Sequence, residues 1–395
     1  MYVYADNAAT TAMSPAALAA TTAALQECYG NPSSLHTMGQ LAAERLAEAR
    51  KIMAEGLNAL PQEIYFTSGG SEADNQALLS AALLGRKKGK MHIISTSIEH
   101  HAVLHSLKRL ESEGWEVTLL PVDSNGLVTA EQVAAAIRED TCLVSVMFAN
   151  NEVGTIMPVA EIGAVCREKG VPFHCDAVQA AGHLPIDVQA MQIDMLSLSA
   201  HKFHGPKGVG LLYVRKGLPL RNLIEGGAQE RGKRAGTENL PGIIGMAAAF
   251  RDALEHLQDN AAYVQNLRDQ LIAGLTAIPH SILNGHPSQR LPGNVNMCFE
   301  GIEGESLLLW LDQQGVAASS GSACTSGSLD PSHVLLSLGL PHEVAHGSLR
   351  LSIGEYNTME EIDHIIECVP KIVARLRDMS PVWDELEKGE RKHLI

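Results

Sequence analysis

Short apolar runs alternate with segments of helical period over most of this chain. In "EIYFTSGG" (63–70) an apolar run ends in a turn, and "SEADNQALLSAALLG" (71–85) follows with helical spacing. The strand pattern returns in "MHIISTSIEH" (91–100), "EVTLLPVD" (116–123), "TCLVSVMFAN" (141–150), "VPFHCDAVQ" (171–179) and "IDMLSLSAHKF" (193–203). Helices are expected between these runs. "HAVLHSLKRLESEG" (101–114) sets Leu104, Leu107 and Leu110 near one face, "TAEQVAAAIRED" (129–140) starts on Thr129 as N-cap, and "VAEIGAVCREKG" (159–170) closes on Gly170. Strands apolar on both faces and separated by helices predict an α/β fold with a mostly parallel, doubly covered sheet. Ligands to such a sheet sit beyond the carboxyl ends of its strands.

From about Gly242 the pattern becomes helical through Leu275 with few turn signals, which predicts one long stretch bridging two domains. "GNVNMCFEG" (293–301) and "GSLRLSIG" (347–354) then read as strands and "GESLLLWLDQQG" (304–315) as a helix, a smaller α/β domain. The expected division is a large domain over 12–258 and a small one made of 1–11 and 259–395. The closing "ELEKGERKHLI" (385–395) is charged and is expected to fray.

Composition narrows the class. The chain has 395 residues, 45% hydrophobic and 19% charged, ordinary for a globular protein of two or three domains. A formal net charge of -15 argues against non-specific nucleic-acid binding. The one basic cluster, Arg86 to Lys90, reads as a solvated helix end. No secretory signal shows at "MYVYADNAATT", and no apolar run is long enough to span a bilayer. Seven cysteines without framework spacing or a CxxC pair suggest reduced thiols. The expectation is a cytoplasmic protein without direct nucleic-acid or membrane contact.

Candidate chemistry gathers at the strand ends. The turn before Ser71 and Glu72 opens a helix, where free N–H groups favour an anion such as phosphate; the plainer reading makes Ser71 an N-cap. The turn lacks the Walker lysine, which argues against an NTP-binding P-loop. His100 stands at a strand end. His101 and His105, spaced i, i+4, resemble a metal-binding pair without a third ligand. Asn150 and Asn151 offer amides at the same edge, and Asp176 and Gln179 follow the next run. The segment from Ser199 to His204 carries His201 and Lys202, which read either as part of a cation cluster or as a Schiff-base lysine. An anion-binding helix start, a stacking histidine, an acid for a ring nitrogen and a Schiff-base lysine, in this order, are the fittings of a pyridoxal 5'-phosphate site. Farther on, "ASSGSACTSGSLDPSHV" (318–334) sets Cys324 among small polar residues, which describes a mobile, solvated loop. It is either a linker or a carrier for the thiol.

The motifs "ADNAATT", "GNPSSLH", "FTSGGSEADN", "EHHAVL", "FANNEVGT", "HCDAVQ", "SAHKFHGPKG", "RAGTEN", "SSGSACTSG" and "GSLRLS" resemble, in order and over nearly the whole chain, those of NifS/IscS-type cysteine desulfurases. These belong to the class V aminotransferase group, with the pyridoxal-phosphate-dependent transferase fold type I. The last two motifs are similar to the long-cysteine-loop branch. The resemblance implies that Lys202 holds the cofactor covalently, Asp176 pairs with the pyridine nitrogen, Gln179 bonds the phenolic oxygen and His100 stacks on the ring. Gly70, Ser71, Ser199 and His201 would bind the phosphate, joined by Thr237 from a second subunit. Arg350 would clamp the substrate carboxylate, and Asn151 would lie between substrate and cofactor. Ser71 stands where the family often has Thr, and Ala200 where Gly is common.

The implied reaction converts L-cysteine to L-alanine and leaves the sulfur as a persulfide on Cys324, with Lys202 and His100 handling protons. A homodimer and an iron–sulfur scaffold or other acceptor protein are the implied partners. No intrinsic metal is expected, although Cys324 would contact a cluster on a partner. The rival readings are a selenocysteine lyase or another class V enzyme, and a protein that docks scaffolds without catalysis.

Overall fold

The computed structural model describes residues 1–321 and 331–395. Its strands are β1 (Val3–Tyr4), β2 (Ile64–Thr67), β3 (His92–Thr96), β4 (Glu116–Leu120), β5 (Thr141–Ser145), β6 (Phe173–Asp176), β7 (Met195–Ser199), β8 (Gly210–Val214), β9 (Ser281–Leu283), β10 (Asn294–Phe299), β11 (Val316–Ala317) and β12 (Ser348–Ser352). Seven of them form the main sheet in the order β2-β8-β7-β6-β5-β3-β4. Only β8 runs against its neighbours there, pairing antiparallel with both β2 and β7. The α/β fold with a mostly parallel sheet follows the sequence pattern. β8 does not: a short apolar run after Gly208 has no period to distinguish it from a loop or a helix turn.

Local signals set the helices. Thr129 caps Ala130–Ala136 in a reciprocal box with Gln132, and Gly170 ends Val159–Lys169 in the left-handed conformation at φ 65°. The expected long helix is two, Leu240–Glu255 and Leu257–Thr276, broken at His256. His256 leaves the helical backbone at φ -109°, ψ 8° and its Nδ1 bonds the Asp252 carbonyl at 2.9 Å, so the break needs neither Gly nor Pro.

β10 lies between β9 and β12 in a second, antiparallel sheet, while β1 pairs parallel with β11. The helices 257–276, 304–313 and 359–378 pack their apolar faces on this smaller sheet, with Val3 and Ala5 in the same core. Residues 5–14 then cross to the main sheet. The Asn7 N–H donates to Ser352, the Thr11 N–H to His201 and the Ser14 N–H to His204. The closing segment docks instead of fraying. His393 bonds Glu300 at 2.8 Å and stacks on His280, because a buried carboxylate offers polar partners that composition does not reveal. Among the described residues, no helix is long and apolar enough to cross a membrane.

Candidate active site

The carboxyl ends of β6 and β7 open on a cavity of about 290 Å3, near the lower end of small-molecule sites. β7 passes directly into a tight turn, Ala200–Lys202, which delivers Lys202 to the cavity wall. Its Nζ donates to the Ala8 and Ala9 carbonyls, the latter at 2.8 Å; Gln179 Nε2 donates to the same Ala8 oxygen at 2.9 Å.

β6 ends on Asp176, whose carboxylate accepts the Val178 N–H at 3.0 Å. Burial pushes this carboxyl up to about 6, opposed by the Val178 bond and the Lys202 charge. An ionised carboxylate at that depth calls for a cationic partner. His100 caps the helix His101–Ser112 by accepting the Ala102 N–H on Nδ1 at 3.1 Å, which puts any ring proton of the neutral form on Nε2. Burial, then the Lys202 charge, lower its basicity. His201 is lowered to about 4 by burial and by Lys202, and its Nδ1 meets Thr10 Oγ1 at 3.1 Å.

At the other end of the cavity the helix Gly70–Arg86 begins without a side-chain cap. Its N-cap is Gly69, so Ser71 lies inside the first turn and is not the capping residue. The strand and turn meet backbone to backbone: a Cβ on Gly210 would fall 2.6 Å from the Gly69 Cα. Ser199, His201 and Lys207 flank these N–H groups, an arrangement suited to an anion.

Arg350, buried on β12, reaches the cavity from the smaller sheet. It donates to the Asn151 carbonyl at 3.1 Å and pairs with Asp6 at 2.9 Å. Its Nε has no partner among the described residues. A buried guanidinium on a side chain that lines the cavity suits a carboxylate ligand.

All the expected site residues line this one cavity except Thr237, which is exposed elsewhere, and Cys324, which lies outside the described residues. Asn150 turns away, giving its amide to the Ile98 carbonyl and its oxygen to the Glu152 and Val153 N–H groups. His204 also faces away, toward Glu355 at 3.2 Å. His101 sits 5.0 Å from His105 and 4.8 Å from His333, ring centre to ring centre. Sequence reasoning missed two buried acids. Asp74 lines the cavity and is pushed up by burial and by the Asp176 charge; Glu99, bonded to Thr96 and Met147, is pushed up by burial to about 8. Both occupy ordinary helical or turn positions, where no local pattern marks them.

The aminotransferase class-V family model matches residues 3–365. The chain belongs to the class-V aminotransferase family. It is 54% identical to cysteine desulfurase IscS of Clostridium botulinum (strain Hall) over 393 residues, 99% of each chain. It is also 54% identical to cysteine desulfurase IscS of Methanosarcina thermophila over 380 residues, 96% of this chain and 94% of that one. A solved NifS-like protein superposes with a TM-score of 0.89 at 40% identity, covering 95% of this chain and 100% of its own. Class-V enzymes of this kind use pyridoxal phosphate, and the residues present fit it. An uncapped helix start suits the phosphate, Asp176 a protonated ring nitrogen and Lys202 the aldehyde carbon.

Proposed function

We propose that this protein is a pyridoxal-phosphate-dependent cysteine desulfurase that converts L-cysteine to L-alanine and carries the released sulfur on Cys324. The observation that carries the reading is the one cavity that Lys202, Asp176, His100 and Arg350 line together. Bound there, the cofactor supplies an electron sink for negative charge at the substrate's α-carbon. Asp176 holds the charge opposite the ring nitrogen, and Gln179 and Asn151 orient the ring and substrate. Gly70, Ser71, Ser199 and His201 hold the phosphate. Arg350 clamps the substrate carboxylate and so turns the sulfur toward the cavity mouth. Lys202 takes the α-proton, and the neutral His100 beside it exchanges protons with the substrate.

The Cys324 thiolate attacks the substrate sulfur. A sulfur–sulfur bond forms and the carbon–sulfur bond breaks with its electrons left on the β-carbon; a proton added there, and the α-proton returned by Lys202, complete alanine. The six other cysteines are buried. Burial pushes Cys142 up to about 11 and Cys166 and Cys298 to about 12, which leaves these thiols protonated.

In this reading residues 12–258 form the cofactor-binding domain, and 1–11 with 259–395 a small domain that presents Arg350 and Cys324. The enzyme is a cytoplasmic homodimer, and its acceptors include an iron–sulfur scaffold protein. The test is a peptide-resolved mass spectrum of the cofactor-loaded protein after L-cysteine, without reductant. One added sulfur on the Cys324 peptide, with alanine released, is expected. Turnover with Cys324 unmodified would sink the persulfide step.

A further inference from the structure

Outside the cofactor cavity, three side chains distant in sequence bring their donor atoms close together. His280 sits in the turn before β9 with a left-handed backbone, φ 53°, and Glu300 follows β10. The Glu300 N–H donates to the His280 carbonyl at 3.1 Å, so these two are neighbours by sheet register. Arg377 locks the same main chain. It donates to the carbonyls of Pro279, His280 and Glu300 at 2.8, 2.9 and 3.0 Å and leaves the Glu300 carboxylate free.

The third side chain, His393, arrives from the irregular segment after the helix Pro381–Glu387. The donor atoms of His280, Glu300 and His393 all lie within 4.8 Å of one another. Glu300 Oε2 is 2.8 Å from His393 Nδ1 and 3.5 Å from His280 Nδ1. Its other oxygen accepts the Leu394 N–H at 2.6 Å, which fixes how the carboxylate is aimed. A fourth donor, the Ile395 main-chain oxygen, lies 2.9 Å from His280 Nδ1.

We propose that His280, Glu300 and His393 bind a divalent cation of the zinc type, which fastens residues 388–395 to the smaller sheet. Ligands around tetrahedral zinc, with bonds of ~2.0–2.1 Å, stand ~3.3 Å apart. The observed 2.8 and 3.5 Å fall on either side of that spacing. Binding releases the Nδ1 protons that face Glu300 and Ile395 and fans apart two rings now stacked at 3.7 Å. Two imidazoles with a carboxylate suit zinc, cobalt or nickel better than calcium or magnesium. Glu300 is buried while a third of each imidazole is exposed, which leaves a side for entry. Trp383 stands edge-on to both rings as an apolar wall. Of the segment's apolar side chains, Leu394 remains 46% exposed and Ile395 packs, partly buried, against the main core. A shared ion adds to that single apolar anchor.

The test uses the full, cofactor-loaded chain in a Cys324→Ala background, because the thiol proposed to carry sulfur would also take up these ions. Zinc and cobalt are each added and passed through a desalting column, then retained metal is counted. One equivalent per chain is expected, with at least tenfold weaker binding in His393→Ala and in Glu300→Gln. Zinc should also slow tryptic cleavage after Arg391 and Lys392 in the parent but not in His393→Ala. Retention that is absent, or equal in all three proteins, overturns the site. Retention without protection overturns its role as a fastening. His393 lies in the closing segment, so its truncation does not put the fold at risk, and sulfur loading on intact Cys324 is scored separately.

Discussion

Arg350 holds Asp6 with one nitrogen and the Asn151 carbonyl with another, and its side chain lines the cavity while Nε is buried without a partner among the described residues. A lysine at this position keeps the charge and the pairing with Asp6 but loses the planar fork that grips a carboxylate at two points. Arg350→Lys is therefore expected to raise KM for L-cysteine ~10–100-fold, the worth of one charge-assisted hydrogen bond of about 1.5–3 kcal/mol. The visible absorbance of the bound cofactor should be unchanged, since no proposed cofactor contact is touched. A normal KM would mean that the carboxylate is held elsewhere. Membership of the cavity was legible where a short apolar run ended in a polar residue. Lys202, Asp176 and Gln179 all follow such runs and all reach the cavity. The choice between Asn150 and Asn151 was not legible, because adjacent residues on a turn point to opposite sides and the string does not give the register. Asp74 was invisible for a related reason: it occupies a regular helical position, and only the neighbouring β6 makes it part of the site.

At the scale of elements, the turn after β12 is tied to the Lys202 turn by the pair His204–Glu355. Burial opposes the charge on His204, but the Glu355 hydrogen bond and charge outweigh it and raise the imidazole. Burial likewise opposes the charge on Glu355, which His204 nevertheless draws down to about 2. A raised histidine stabilises fully below its unfolded value of ~6.5 and loses that contribution as pH rises through the folded value. A lowered glutamate stabilises above its unfolded value of ~4.3 and loses that contribution as pH falls toward the folded one. The pair is therefore strongest between ~pH 5 and 6.5. His204→Asn is the suitable probe, because Asn tolerates the left-handed φ of 61°. Urea unfolding should show a deficit of about 1–3 kcal/mol near pH 5.5 that shrinks toward pH 9. A deficit constant with pH would mean that packing, and not ion pairing, joins the two turns.

Elements with chemical punctuation were the readable ones. Thr129 and Gly170 mark helix ends that the structure reproduces. The break at His256 and the docked closing segment depend on contacts with residues remote in sequence or on an unmarked carbonyl. A charged string gives no hint of the buried Glu300 that receives it.

The single chain leaves large apolar side chains in water along its N-terminal region. Leu18, Leu25 and Tyr29 are well exposed and Leu35 is 92% exposed, a concentration that fits a subunit interface. Thr237 is exposed too and does not line its own chain's cavity, as suits a residue that serves a neighbour's phosphate. The proposed homodimer predicts complementation between two defective proteins. Lys202→Ala removes the reactive amine from its own site, while Thr237→Val weakens the phosphate contact in the partner's site. In a dimer of one of each, one site carries both defects and the other carries neither. Unfolding and refolding the two together distributes chains about 1:2:1, so half the dimers are mixed and about a quarter of all sites are intact. Desulfurase activity near that fraction is expected from the mixture, well above the sum of the separately refolded mutants. Activity no greater than that sum would place Thr237 in its own chain's site, or remove it from the phosphate altogether. Sedimentation of each mutant at the dimer mass would separate those two outcomes from a failure to associate.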